Sequence, residues 1–429
     1  MVTKKLSEIS TRISSGLTPL RTNPKFWENA CIPWLKTEQL GKKYIYDTNE
    51  YISSAAVKET SIKVFPENTL SIAMYGEGKT RGNLSIIKKP MATNQACCNV
   101  EIDECKADYE YVYYFLKTQY EELRNLSSGI RNNLNSNDIK NFPIRLPETK
   151  EEQTRIASVL KSLDAKIELN NRINAELEAM AKTLYDYWFV QFDFPFDFAK
   201  GKSDANGKPY KSSGGKMVYN PTLKLEIPEG WEVMRLLNCL TLTRGVTYEK
   251  EDVYSKNNPG VIGVLRATNI SRNIIDLDDL VYLNQKNISE VQYIKRFDTL
   301  IVMSSGSMDH IGKNGIYYFD DPNAFGAFCS KLTIMKDFLF YVSTFLNTEW
   351  FKFYIKNQCL GTNINNLTND HIKDCPLVKP DENVLVLFEK IVSSFHKRIA
   401  MNFIESRQLK ELRDWLLPML MNGQVTVEQ

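Results

Sequence analysis

The period of the apolar positions changes several times along the chain, and each change marks an element. From 151 to 189 the run EEQTRIASVLKSLDAKIELNNRINAELEAMAKTLYDYWF holds no Gly or Pro and is rich in strong helix formers. Within it Ile156, Leu160, Leu163, Ile167, Asn170, Asn174, Leu177, Ala181, Leu184 and Trp188 fall alternately four and three residues apart. That spacing is a heptad seam and predicts one long helix. The seam returns near the end as Phe388, Val392, Phe395, Ile399, Asn402, Ser406, Leu409, Arg413, Leu416 and Leu420, the same ten positions shifted by 232. Pro418 is expected to end the clean helix, and the charged Arg413 to loosen the contact around it. Asn170 and Asn402 occupy equivalent seam positions, where a buried polar residue costs stability but fixes register and orientation. One such stripe alone reads equally well as an ordinary core helix. Two matched stripes, each after a matched segment, favour helices packed on each other in an antiparallel coiled coil, within one chain or between two. At 1.5 Å per residue, a helix of about 38 residues spans roughly 57 Å.

Ahead of each helix, short apolar runs alternate with turn residues. The first set is WLKTEQL, YIYDTNEYI, TLSIAM and GNLSIIKKP; the second is VIGVLRATNI, DLVYLN, TLIVMSSGS, NGIYYFDD and KLTIMKD. Both predict a mixed, strongly bent sheet. Helical stretches follow, DYEYVYYFLKTQYEELRNL and FLFYVSTFLNTEWFKFYIKNQ. Then comes a near-duplicate, SSGIRNNLNSNDIKNFPIRLP at 127–147 and LGTNINNLTNDHIKDCPLVKP at 360–380. In it Asn133-Leu134, Ile139-Lys140, Pro143 and Pro147 match Asn366-Leu367, Ile372-Lys373, Pro376 and Pro380. Its Asn runs suit Asx-turns and helix caps, shaping the same junction twice before each long helix. Residues 192–228, with a Gly/Ser/Lys/Pro-rich middle, read as a loop or partly mobile linker. The expected fold class is α+β, two similar domains in a tandem pseudo-repeat, each followed by a long helix. The expected boundaries are 1–150 for the first domain, 151–191 for the central helix, 192–228 for the linker, 229–383 for the second domain, 384–422 for the C-terminal helix and 423–429 for a tail.

The chain's 429 residues exceed what one hydrophobic core usually serves, which agrees with two domains. No apolar run reaches bilayer length, and MVTKKLSEIS lacks the apolar core of a signal peptide, so a cytoplasmic protein away from membranes is expected. The eight cysteines include no CxxC pair and the three histidines are scattered, so buried free thiols are expected and no metal site. Net charge is only +2, and residues 1–150 carry 21 Lys/Arg against 17 Asp/Glu. Any nucleic-acid-binding surface must therefore come from local placement.

Catalytic motifs fail on inspection. AMYGEGKT at 73–80 has the look of a phosphate-binding loop, but RGNLSIIKKP after it reads as turn and strand, not as the helix such a loop must open. DPNAF at 321–325 faintly matches the Asp-Pro-Pro-aromatic motif of amino-methyltransferases, without any glycine-rich cofactor loop, and Asp-Pro-Asn is an ordinary turn. PDENVLVLFEK lacks the Glu-x-Lys spacing of the common nuclease core. Nothing assembles a nucleophile, a base and an oxyanion site.

Taken together, several segments resemble the specificity subunits of type I restriction-modification systems. They are RISSGLTPLRTNPKFWENACIPWLKTEQL, the FPENTL and ATNQ strands, LPETKEEQTRIASVLKSLDAKI, YDYWFVQFDFP, GKPYKSSGGKMV and IPEGW. The second repeat departs, with DENVLVLF where EEQTRI stood. The resemblance implies a non-catalytic reader of double-stranded DNA with two target-recognition domains, each meeting one half of a bipartite, asymmetric site. It implies two methyltransferase subunits as partners, with up to two restriction subunits. S-adenosylmethionine, ATP and Mg are expected on those partners and no cofactor in this chain. Rival readings are a fused restriction and methylation enzyme or P-loop ATPase, and a purely structural coiled-coil scaffold.

Base edges are read by side chains suited to bidentate bonding and phosphates by Lys, Arg and backbone amides. In the first domain the candidates are Arg21 and Lys25 for phosphate, then Thr37, Glu38, Gln39, Tyr75, Lys79, Thr80, Arg81, Asn94, Gln95, Arg131, Asn132 and Asn133. In the second they are Arg266, Thr268, Asn269, Ser304, Ser305, Ser307, Lys313, Thr362, Asn363 and Asn365. The expected helix seam centres on Leu163, Ile167, Asn170 and Leu177 facing Phe395, Ile399, Asn402 and Leu409.

Overall fold

The computed structural model describes residues 1–76, 80–126, 133–271, 273–359 and 366–427, and of Met308 the backbone alone. The fold is mixed α/β with a long central helix and a long C-terminal helix. The chain divides into two compact units, Met1–Ile167 with Arg407–Gln429, and Glu168–Ser406, so each long helix contributes to both.

In the first unit a five-stranded sheet runs in the order Ser10–Ser15, Cys97–Ile102, Leu70–Ala73, Leu84–Ile87, Tyr44–Ile45. A four-stranded sheet holds Glu50–Ile52, Ile32–Leu35, Met91–Thr93 and Val64–Phe65. Leu70–Ala73 and Leu84–Ile87 are buried at every residue, as continuous apolar runs require of central strands. The helix Tyr109–Thr118 adds Tyr111, Val112, Phe115 and Leu116 to this core, its N-terminus capped by Asp108 accepting the Tyr111 N–H at 2.9 Å. The helical stretch expected over 108–126 breaks at Gln119 into Tyr109–Thr118 and Tyr120–Asn125.

The second unit has a six-stranded sheet in the order Leu240–Arg244, Cys329–Ile334, Thr299–Val302, Asn314–Ile316, Asn273–Ile275, Ile270–Ser271. Beside it, Val261–Leu265 lies between Val281–Asn284 and Ala324–Phe325. Its helical stretch also breaks, because Thr348 caps a fresh helix, Glu349–Gln358, by accepting the Phe351 N–H.

In each unit the Pro-Pro strand pairs with the first strand of its segment. Pro143–Leu146 runs antiparallel to Val2–Lys5, and Pro376–Lys379 to Glu232–Arg235. Two-stranded ribbons of this kind tolerate a proline at a strand end, where no ladder bond is lost. The Asn-rich junction before each ribbon is a capped short helix. Asn135 accepts the backbone N–H groups of Asn137 and Asp138, and Thr368 accepts that of His371.

Several expectations need correction. Residues 192–228 are folded rather than a loose linker, with a three-stranded sheet over Pro195–Asp197, Lys202–Ser203 and Lys208–Pro209 and a hairpin of Met217–Asn220 with Leu225–Pro228. Phe194 stacks on Tyr210 at 4.7 Å and on Trp231 at 4.8 Å, so apolar burial outweighs the turn-rich composition. Pro418 does not end the C-terminal helix, which runs Glu382–Met421. Leu420 and Met421 are buried in the first unit's core, which offsets the bond lost at the proline. Of the eight thiols, Cys31 and Cys105 are exposed; the other six are buried and all are free.

The central helix Lys150–Tyr185 ends in a single π turn, Asp186–Val190. All ten seam positions on each long helix are buried or half-buried. In the second unit, Asn170 Nδ2 donates to Glu405 Oε2 at 2.8 Å and Ser406 Oγ at 3.2 Å, and Asn402 Nδ2 donates to Asn174 Oδ1 at 2.8 Å. The partner numbers fall as the first rise, so these stretches run in opposite directions. In the first unit Arg413 does not loosen the contact but donates to Asp164 Oδ1 at 2.8 Å.

Candidate nucleic-acid interface

In the first unit, five strand ends from its two sheets meet. Gly16 N donates to Cys97 O, Leu17 N to Thr93 O, Met74 N to Ala96 O, Asn94 N to Leu35 O and Leu134 N to Met74 O. These bonds gather Thr37, Tyr75, Asn94, Gln95 and Asn133 along one rim. Tyr75 and Gln95 are exposed and Thr37, Asn94 and Asn133 half-buried. The Asn94 side-chain oxygen is buried and has no hydrogen-bond partner among the described residues. Gln95 accepts from the hydroxyl of Thr18.

Beside the rim runs a chain of alternating charges. Arg21 reaches Glu50 at 2.7 Å, Lys36 reaches Glu50 at 2.5 Å, and Lys36 reaches Glu38 at 2.9 Å. The Arg21 guanidinium lies 3.9 Å from the ring centre of Trp27 and 5.0 Å from that of Trp34. Hydrogen bonds from Arg21 and Lys36 hold the Glu50 carboxyl below the usual range, and those to Glu38 and Glu50 raise Lys36. Gln39 closes the turn by accepting the Asn49 N–H at 3.2 Å. Lys25 is paired with Glu59 at 2.5 Å. Thr80 and Arg81 are half-buried in the turn between Leu70–Ala73 and Leu84–Ile87. This hairpin opens no helix among the described residues.

The second unit repeats the bonding pattern at its own sheet end. Gly245 N donates to Cys329 O, Val246 N to Phe325 O, Met303 N to Phe328 O, Gly326 N to Leu265 O and Leu367 N to Met303 O. A Cβ at Gly16 would strike the carbonyl oxygen of Thr93, and one at Gly245 that of Gly326, so the crossing requires glycine in both units. Thr268 is exposed, and Ser304 bridges to Asn366. The Ser305 and Ser307 hydroxyls accept from the backbone N–H groups of Ser307 and Asp309. Lys313 Nζ lies 3.1 Å from His310 Nδ1. Arg266 donates to the carbonyl of Asp279 at 2.8 Å and its carboxylate at 3.2 Å.

One candidate is withdrawn. Asn269 is 4% exposed; its oxygen accepts the Arg266 N–H at 2.9 Å and its nitrogen donates to Asp278 O at 2.7 Å, so it builds the turn and is too buried to reach a base. Lys79, Arg131, Asn132, Thr362, Asn363 and Asn365 lie outside the described residues. The sequence reading missed Thr18, Lys36, Arg244 and Phe328, which flank the same strand ends.

Residues 1–179 match the family model of the type I restriction modification DNA specificity domain. Over 437 aligned residues the chain is 28% identical to the MjaIX type I restriction enzyme specificity subunit of Methanocaldococcus jannaschii, covering 99% of this chain and 94% of that one. Residues 1–179 thus carry a type I DNA specificity domain, and over nearly its full length the chain is similar to a type I specificity subunit. The chain is also 34% identical, over 143 residues, to the EcoKI specificity subunit of Escherichia coli K12, a stretch that covers 33% of this chain and 31% of that one. Its fold is shared with the crystal structure of a type I S subunit from M. genitalium, at a TM-score of 0.58 and 15% identity, covering 100% of this chain and 96% of that one. Among the described residues no helix is long and apolar enough to cross a membrane, and no group of His, Cys, Asp and Glu could hold a metal ion.

Proposed function

We propose that this chain, as a type I specificity subunit, reads a bipartite, asymmetric site on double-stranded DNA through two target-recognition domains in tandem pseudo-repeat, and has no chemistry of its own. The observation that carries this reading is the pair of rims: five backbone hydrogen bonds recur in both units on a shared Gly, Cys, Met and Leu frame, while the turn they hold differs, Asn94-Gln95-Ala96 in one unit and Gly326-Ala327-Phe328 in the other. A shared scaffold with different contact residues suits two unrelated half-sites, the task a dimeric repressor performs with identical ones. The paired seams support an antiparallel coiled coil between the domains, on which two methyltransferase subunits dock. S-adenosylmethionine on those subunits serves adenine methylation, and ATP and Mg on restriction subunits serve cleavage. The complex works in the cytoplasm, where its DNA lies.

The test is to co-express the chain with its methyltransferase partner and map methylated adenines across the genome. A single bipartite motif is expected, with one half alone changing when residues 1–150 are exchanged for those of another specificity subunit. Methylation of a short continuous site, or none from an assembled complex, overturns the two-reader arrangement. Binding of S-adenosylmethionine or ATP by the isolated chain overturns the non-catalytic part.

A further inference from the structure

Matching the two rims residue by residue isolates one position. Asn94, Gln95, Ala96 and Cys97 in the first unit correspond to Gly326, Ala327, Phe328 and Cys329 in the second, since each set makes the same bonds. Cys97 N donates to Asn94 O at 3.1 Å and Met74 N to Ala96 O at 2.8 Å; Cys329 N donates to Gly326 O at 2.9 Å and Met303 N to Phe328 O at 2.8 Å. The first unit therefore presents amides on this turn and the second presents two small residues and a phenyl ring.

Phe328 is 69% exposed, the most exposed phenylalanine among the described residues. The turn that carries it is pinned on every side. Gly326 N donates to Leu265 O at 2.9 Å, Ala327 N to Val246 O at 2.9 Å and Ser304 N to Phe328 O at 3.3 Å. A rigid turn holding an aromatic ring in water is a cost to the free protein that burial against a ligand recovers. The exposed cation Arg244 sits on the adjoining strand, paired in register with Ser330. An apolar tip beside a cation suits a groove whose wall is phosphate and whose floor carries a methyl group.

We propose that Phe328 is a specificity-determining residue of the second target-recognition domain, and that it reads its half-site by packing on the 5-methyl group of a thymine in the major groove. The inference rests on the DNA-reading function above. The corresponding turn of the first domain reads its own half-site by hydrogen bonds from Asn94 and Gln95 instead. Small residues at 326 and 327 let the ring approach the base edge without a competing side chain.

The experiment uses the full chain in complex with its methyltransferase partner, on duplexes carrying the mapped site. Each thymine is replaced in turn by uracil, which pairs identically and lacks only the methyl group. One position in the second domain's half-site is expected to weaken wild-type binding by about fivefold, the low end of the effect of one wrong base pair. Phe328→Ala is expected to bind the thymine duplex about as weakly as wild type binds the uracil one, and to lose the distinction between them. Phe328→Leu keeps an apolar tip and is expected to retain part of it. Wild-type indifference to every uracil, a half-site without an A·T pair, or equal sensitivity in Phe328→Ala overturns the proposal and leaves the two-reader function standing. Loss of complex assembly in Phe328→Ala also overturns it, assigning the ring to a protein partner. Absence of any bipartite methylation site overturns the underlying reading as well.

Discussion

Residue by residue, the side chains chosen from sequence split according to what their neighbours leave them to do. Asn269 looked like a base reader in ATNI, but its amide is buried against two backbone groups that it bonds. Asn269→Ala is therefore expected to cost about 2 kcal/mol in chemical denaturation by leaving Arg266 N–H and Asp278 C=O without partners, with the methylation motif unchanged. A second residue-scale expectation concerns the cleft of about 380 Å³ in the second unit lined by Glu178, Tyr318 and His396. Burial pushes the Glu178 carboxyl up to about 7 and the His396 imidazole down to about 3. The raised carboxyl stabilises the fold below its ordinary value of 4.5, and that contribution is lost as pH rises toward 7. The depressed imidazole acts with the opposite sign, contributing fully above 6.5 and losing it as pH falls toward 3. Comparing Glu178→Gln with wild type isolates the first: the variant's melting temperature relative to wild type should rise between pH 5 and 7. A constant difference across that range would show that Glu178 does not titrate there.

At the level of elements, the long helices show how a polar seam is held. Asn402 and Asn174 bond to each other and Asn170 to Ser406, all buried. Asn402→Leu alone is expected to cost about 1–3 kcal/mol, because the Asn174 oxygen loses its donor. The double change Asn402→Leu with Asn174→Leu is expected to recover most of that stability, since two apolar groups replace both partners, at the cost of register specificity. Urea unfolding of the four proteins in a double-mutant cycle measures the coupling. The ion pair of Arg413 with Asp164 is of the same kind in the first unit, and Asp164→Asn is expected to weaken it by roughly 2 kcal/mol, moderated by its partial exposure. Periodicity revealed where these residues stood, but not that Arg413 had a carboxylate waiting for it, because Asp164 lies off the apolar seam and pairs only through the fold.

For the whole molecule, the chain's two units do not follow its order, since Arg407–Gln429 belongs with Met1–Ile167. Leu420 and Met421 close the first unit's core, with Leu416 and Leu417 packed against it. Removing residues 407–429 is therefore expected to raise amide hydrogen exchange throughout the first unit's sheet while leaving the second unit's sheet protected. Equal deprotection of both would contradict this division. What the sequence by itself determined is whatever repeats locally: the heptad seams, the α+β order of elements, the Asn-Pro junctions and the resemblance to specificity subunits, since each is carried by spacing within a short window. What only the tertiary structure decided are matters of burial and of which partner each side chain meets. These are that 192–228 folds around stacked aromatics, that Asn269 is buried, that Arg413 is paired, and that Phe328 stands exposed where Ala96 stands in the other unit. Arg413 finds Asp164 across 249 positions, and even the nearer partners, Asp278 for Asn269 and Tyr210 and Trp231 for Phe194, are set by how the chain packs, which no periodicity within a short window records.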